Sequence, residues 1–195
     1  MYVRDAKNRE EVWLLEHIES MGLDDTTFRS RDYVVAIDEE SGEKAGFGRI
    51  RLHKAEDGAV CELTSIGVLE SWRGQGVGAH VIERLLEYAR DEGFETVYSL
   101  TSEHAYLAQF GFNAVDTDAL PPVLAERLAD KREGVDPEAI PMQIALEAFV
   151  MPDRLREAFK EANKSDEPAS GDDLDAAEDF GIDPETATYK YDTGR

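Results

Sequence analysis

The sequence predicts an α/β domain with a mixed, mostly antiparallel sheet flanked by helices, followed by an acidic C-terminal extension. Three observations lead there. Two β-rich runs, residues 33–37 and 45–52, are separated by Glu39-Glu40-Ser41-Gly42-Glu43, whose Ser-Gly pair suits a hairpin turn, so the two runs pair antiparallel. From residue 60 onward, strand-like and helix-like segments alternate. Between the first of these strands and its helix lies a glycine-rich loop, Arg73-Gly74-Gln75-Gly76-Val77-Gly78.

Taken in order, a short strand opens the chain. Residues 8–21 then place Val12, Trp13, Leu15, Ile18 and Met21 at helical spacing, with Asp5 upstream as a cap and Gly22 just past the end. After the hairpin, Val60 to Val68 is a third β-rich run. The glycine loop opens a helix over residues 76–90. There Val81, Ile82, Leu85, Leu86 and Ala89 form one stripe and Glu83, Arg84 and Glu87 the opposite side, so the helix packs on a sheet by one face. Residues 94–100 read as a buried strand, 104–110 as a short helix, and Gly111-Phe112 as the turn into another strand. Residues 122–131 form a helix, and 142–146 a last core strand whose start Pro141 marks. One more helix spans 152–163, and Ser165 to Gly171, rich in Ser, Asp, Pro and Gly, is a linker. The division is a domain over residues 1–150 and a helical, then acidic, tail over 151–195, with disorder one expectation for the tail.

Charge narrows the partners. The 43 acidic residues outnumber 21 basic ones, and the formal net charge of -22 disfavours nucleic acid and anionic membranes. Residues 165–195 hold ten acids and two bases, so most of the charge lies on the rest of the chain. Such acidity fits a halophilic cytosol, where salt screens self-repulsion. Cys61 is the single cysteine, which excludes an intramolecular disulfide and fits a reducing, cytoplasmic setting. The N-terminus lacks the apolar run of a signal peptide, and no segment has the length of a membrane helix. His53, His80 and His104 are too scattered for a metal cluster, so no metal is expected.

The glycine loop carries the chemistry. Glycines let backbone N–H groups converge at a helix start, where the helix dipole favours an anion, and Arg73 adds a positive side chain at the rim. A kinase-type phosphate loop is excluded because no Gly-Lys-Ser/Thr is present. Gly74-Gln75-Gly76-Val77-Gly78-Ala79 satisfies the dinucleotide pattern G-x-G-x-x-A, but it follows three strands rather than one and no acid ends the next strand, at Leu100-Thr101.

Arg73, Gly76 and Gly78 instead match, position for position, the Gln/Arg-x-x-Gly-x-Gly/Ala signature of the GNAT acetyltransferase superfamily, which the chain resembles from about residue 33 to Phe112 and more faintly to Leu146. Glu62-Leu63-Thr64-Ser65-Ile66-Gly67-Val68, Ser99-Leu100-Thr101, Phe110-Gly111-Phe112 and Leu120-Pro121 look most like N-acetylglutamate synthases. The resemblance implies a GNAT-like fold and acetyl-CoA as acyl donor. It places the cofactor pyrophosphate on Arg73, Gly74, Gln75, Gly76, Val77 and Gly78, and the pantetheine arm on the backbone at Ile66 and Val68, where that strand and the next splay apart.

Amide formation needs a neutral attacking amine, hence a general base near the thioester. Glu62 is the candidate, since members similar to this chain carry a catalytic Glu there. The thiolate's proton comes in many members from a Tyr four residues before the Gly of the Gly-Phe turn. Leu107 stands at that position, so Tyr106, one place earlier, is the candidate acid. Arg49 and Arg51 alternate on one strand face and are candidates to hold a substrate carboxylate, with Arg127 and Lys131 weaker ones. Cys61 has no neighbouring base, which favours direct transfer over an acyl-enzyme.

The expectation is an N-acetyltransferase acting on a primary amine, an amino acid or a peptide among the acceptors. A non-catalytic acyl-CoA-binding module and, more remotely, a nucleotide-binding module are the alternatives. The sequence leaves the oligomeric state open, a homodimer included.

Overall fold

The structure is a computed structural model and describes residues 1–164. The expected linker and acidic tail lie outside the described residues. In chain order the elements are β1 (Tyr2–Asp5), α1 (Glu11–Ser20), β2 (Tyr33–Ile37), β3 (Lys44–Ala55), β4 (Gly58–Val68), α2 (Val77–Asp91), β5 (Thr96–Thr101), α3 (His104–Ala108), β6 (Asn113–Ala114), α4 (Pro122–Glu133), β7 (Ile140–Ala145) and α5 (Asp153–Glu161). They build a seven-stranded sheet in the order β1-β2-β3-β4-β5-β7-β6. Every neighbouring pair is antiparallel except β4–β5, so the mixed, mostly antiparallel sheet is as expected.

Alternation along β2 sets the layers. Val34 and Ala36 turn into the core built on α2, whereas Tyr33, Val35 and Ile37 pack with Leu14 and Ile18 of α1. A continuous apolar run suits a strand covered on both faces. A third cluster joins Leu124 and Leu128 of α4 to Leu100. On the opposite side, the stripe Val81, Ile82, Leu85, Leu86 and Ala89 of α2 is buried as its spacing requires. Each Leu or Ile hidden this way contributes about 1.5–3 kcal/mol. The approach is close at Gly48, where a Cβ would sit 2.6 Å from side-chain carbons of Val81 and Ile66.

Two boundaries differ from the sequence expectation. β3 and β4 run on to Ala55 and back from Gly58, closing a tight hairpin through Glu56-Asp57 that hydrophobicity alone does not reveal, because its tip is exposed and polar. Pro141 is not the start of the last strand: Ile140 already pairs with Thr101, and Pro141, lacking an N–H, accepts at its carbonyl from the amide of Val115.

The feature that makes room for a site lies in β4. Between the pairs Phe47–Gly67 and Arg49–Thr64, Gly48 alone faces two residues, Ser65 and Ile66. This is a β-bulge, with Ser65 held at φ 53°, a left-handed conformation that costs about 1–3 kcal/mol. The Ser65 hydroxyl donates to the carbonyl of Asp24 at 2.8 Å, which offsets part of that cost. Beyond the bulge β4 turns away from β5, and the parallel pairing is confined to Glu62–Tyr98 and Leu63–Ser99. The edge of β4 past Leu63 therefore opens onto a cleft.

Candidate active site

A cavity of about 290 Å³ fills that cleft. One end is lined by Ile66 and Val68 of β4, Gly78 and Ile82 of α2, and Tyr106 and Leu107 of α3. The other is lined by the segment Met21–Asp24, the end of β5 and Ser102, Glu103, Lys131 and Asp136. The first group is apolar with an open strand edge, and the second carries the cavity's charged side chains, Asp24, Glu103 and Asp136 with Lys131.

Behind the wall, β3 and β4 bring a charged chain together. Arg51 lies opposite Glu62 in the register, which sets His53 on the diagonal. The fully buried Glu62 accepts through Oε2 from His53 Nε2 at 2.7 Å, with Arg127 Nε at 3.4 Å. Arg127, on α4, also pairs with Asp24. Glu62 Oε1 and Thr64 Oγ1, on the same strand two residues apart, have no hydrogen-bond partner among the described residues. Thr64 lines the cavity, whereas Glu62 lies just behind it, at the last paired rungs before the splay.

The phosphate-binding expectation rests on the head of α2. Gly74 and Gly76 both adopt left-handed backbone, φ 71° and 72°, and Gly76 is the N-cap. The first amide bonded into the helix turn is that of His80, to the Gly76 carbonyl at 3.2 Å, so the amides of Gly76, Val77 and Gly78 precede the helical ladder and are suited to an anion. Of the six loop residues, Gly78 lines the cavity, and the bare Cα there admits the Tyr106 hydroxyl, 3.1 Å from where a Cβ would be. Arg73 Nε donates to the carbonyl of Val68 at 3.4 Å. The residues present fit a pyrophosphate on this loop and an amide-bearing arm along β4.

An element the sequence did not connect to the loop lies against it. The carbonyl of Leu155, in α5, would be 2.2 Å from a Cβ on Gly76. The Phe159 ring stacks on His80 at 3.8 Å, Arg156 pairs with Glu83 at 2.9 Å, and the amide of Asn163 donates to Gln75 Oε1 at 2.8 Å. A β-branched residue at Gly76 is therefore opposed twice, by the left-handed backbone and by α5. Gly76→Val is expected to weaken CoA binding about tenfold or more, measured by calorimetry. Phe159→Ala loosens α5 without touching the loop. Equal losses in both variants would assign the effect to α5 rather than to the cradle, and unchanged affinity in a folded Gly76→Val protein would remove the cradle argument.

Other candidates fall as follows. Tyr106 lies on the cavity, 5% exposed, with its ring edge-on to Phe110. Arg49 lies outside the cavity lining: it is 1% exposed, its guanidinium donates to the carbonyls of Thr26 and Thr27 at 2.9 and 2.7 Å, pinning the α1–β2 loop, and it lies 4.0 Å from the Asp32 carboxylate. Arg51 is half-buried and lies outside the cavity lining. Lys131 donates to the carbonyl of Leu100, and burial pulls its ammonium below the ordinary value, with Glu62 acting against that shift. Cys61 packs under α2, and burial pushes its thiol up to about 12, with Glu62 adding to the shift, so a thiolate nucleophile is not at hand. Sequence reasoning missed His53 as a partner of Glu62, and it missed Asp24, Glu103 and Asp136. For His53 the signal was present, since the Asp57-Gly58 dipeptide fixes the hairpin register that sets it beside Glu62.

Comparison with known proteins agrees with this geometry. Residues 2–112 match the Acetyltransferase (GNAT) family. An amino-acid acetyltransferase of Mycobacterium tuberculosis (strain ATCC 25618 / H37Rv) is 31% identical over 85 residues, 44% of this chain and 45% of that protein. N-acetylglutamate synthase from Neisseria gonorrhoeae, solved with coenzyme A and N-acetyl-glutamate, superposes with a TM-score of 0.61 at 16% identity, over 74% of this chain and 34% of that one. A Mycobacterium tuberculosis protein in complex with CoA and NLQ gives 0.60 at 19% identity, over 74% and 99%. At these identities the structural likeness is one of fold, and the chain spans less than half the length of the amino-acid acetyltransferase and of the synthase. A splayed β4–β5 pair, a glycine loop at the head of α2 and a family match over more than half the sequence converge, and the chain belongs to the Acetyltransferase (GNAT) family.

Proposed function

We propose that the chain transfers an acetyl group from acetyl-CoA directly to the primary amine of a small acceptor, an amino acid being the acceptor class for which its Mycobacterium tuberculosis relative is named. The observation that carries this reading is the continuity of one cavity from Gly78 and the open β4 edge to a polar end at Glu103 and Asp136. Bound acetyl-CoA supplies the acetyl group on a thioester, with CoA thiol as the other product.

The loop Arg73–Gly78 holds the pyrophosphate, and the backbone of Ile66 and Val68 holds the arm. Glu62 receives the acceptor's ammonium proton through one water at its free Oε1, a route supported by that buried oxygen having no partner among the described residues. As the amine nitrogen bonds to the acetyl carbon, the carbon–sulfur bond breaks, and the Tyr106 hydroxyl gives a proton to the departing sulfur. The inert Cys61 thiol supports transfer without an acyl-enzyme.

A second reading is a module that binds acyl-CoA without turnover, since Leu107 occupies the expected acid position and Glu62 lies behind the cavity wall. Thiol release from acetyl-CoA across a panel of primary amines, with NAD and ATP as competitors for binding, tests both. Amine-dependent release is expected. Tight CoA binding with no release above background for any amine would select the second reading, and displacement of CoA by NAD would set both aside.

A further inference from the structure

The acceptor's chemistry is written at the polar end of the cavity. Glu103 stands there at the head of α3, and Asp136 in the loop between α4 and β7. The amide and hydroxyl of Ser102 donate to Asp136 Oδ2 at 2.9 and 3.2 Å and hold it in place. Of the basic groups nearby, Arg127 pairs with Asp24 and Glu62 and Arg49 donates to the α1–β2 loop, whereas Lys131, which lines the cavity and donates to the Leu100 carbonyl, also has its charge within reach of Asp136. Neither Glu103 nor Asp136 has an ion-pair partner among the described residues.

Two carboxylates that share one lysine still repel each other, which costs free energy. Glu103, open to water on its outer side, nevertheless loses enough solvent on its inner side to be pushed up to about 7, with the Asp136 charge adding to the shift. An independent sign comes from Thr64, 4% exposed on the same cavity, whose buried Oγ1 has no partner among the described residues. A buried polar atom in a cavity wall is ordinarily satisfied, so it points to a polar ligand group at the splay.

We propose that Glu103 and Asp136 read a second positive charge on the acceptor, so that the substrate class is a small primary amine bearing another cationic group, such as a diamine or a basic amino acid. The inference rests on the acetyl-transfer reading above. An acceptor of this kind sets its attacking nitrogen near Thr64 and its second cation between the two acids, where it relieves their repulsion and forms charge-assisted hydrogen bonds. A dicarboxylic amino acid meets Lys131 in the lining but also Glu103 and Asp136, two like charges against one cation.

Binding rather than turnover provides the test, so that failure of the acetyl-transfer reading is separable. Calorimetry on the CoA complex compares 1,4-diaminobutane, n-butylamine and glutamate, in the parent, Glu103→Gln and Asp136→Asn proteins. The diamine is expected to bind on the order of tenfold or more tighter than the monoamine in the parent, and this ratio should collapse in both variants. Glu56→Gln, at the exposed hairpin tip, controls for the overall acidic field and should keep the ratio. Diamine preference without acetyl transfer upholds the inference and sinks the catalytic reading. Three outcomes overturn the inference: equal affinity for diamine and monoamine, tighter binding of glutamate, or a Glu103→Gln protein that keeps its diamine affinity but loses turnover, which would make Glu103 the base.

Discussion

Replacing Glu62 by Gln is expected to lower turnover by about two to four orders of magnitude near neutral pH, the usual worth of a general base, while CoA affinity stays at the parent value. Gln keeps the shape and can still meet His53 Nε2, which lies 2.7 Å from Glu62 Oε2, but it cannot take a proton. The proposed cofactor contacts, Ile66 and Val68, lie beyond Thr64 along β4, so binding is expected to be spared. The deficit should shrink as pH rises, because the amine then loses its proton to solvent and needs the base less. That profile separates proton transfer from structure, since a packing defect would lower the rate equally at every pH. Parent-like turnover at neutral pH would move catalysis to Glu103 or to solvent.

What was legible in the sequence follows from which signals are local. The α2 stripe and the glycine loop are local patterns, and both boundaries come out within a residue of expectation. The β4–β5 splay was read through the family likeness, and its physical cause, one extra residue opposite Gly48, leaves no mark in hydrophobicity because Ser65 and Ile66 continue a β-rich run. The roles of single charged residues were least legible. Arg49 and Arg127 resemble substrate ligands when only charge and place along the chain are read, yet the loop carbonyls and Asp24 that engage them are far away in sequence. The same is true of Glu103 and Asp136, which α3, β6 and α4 separate along the chain and the fold joins at the cavity.

Arg127→Leu should be the most destabilising single change in the site. The guanidinium is the cation between Asp24 and Glu62, which are 6% and 0% exposed. Removing it leaves two buried carboxylates with His53 as their nearest basic neighbour on the Glu62 side. Breaking a buried pair by deleting one partner costs about 3–5 kcal/mol, which for a chain of this size lowers the melting temperature by roughly 10 °C. Adding Asp24→Asn removes one stranded charge and should return part of the lost stability, whereas in the parent background the same change leaves Arg127 with Glu62 alone and should destabilise. Thermal melts of the four proteins make the check. Coincident melts for parent and Arg127→Leu would mean that water, not Arg127, solvates the two acids.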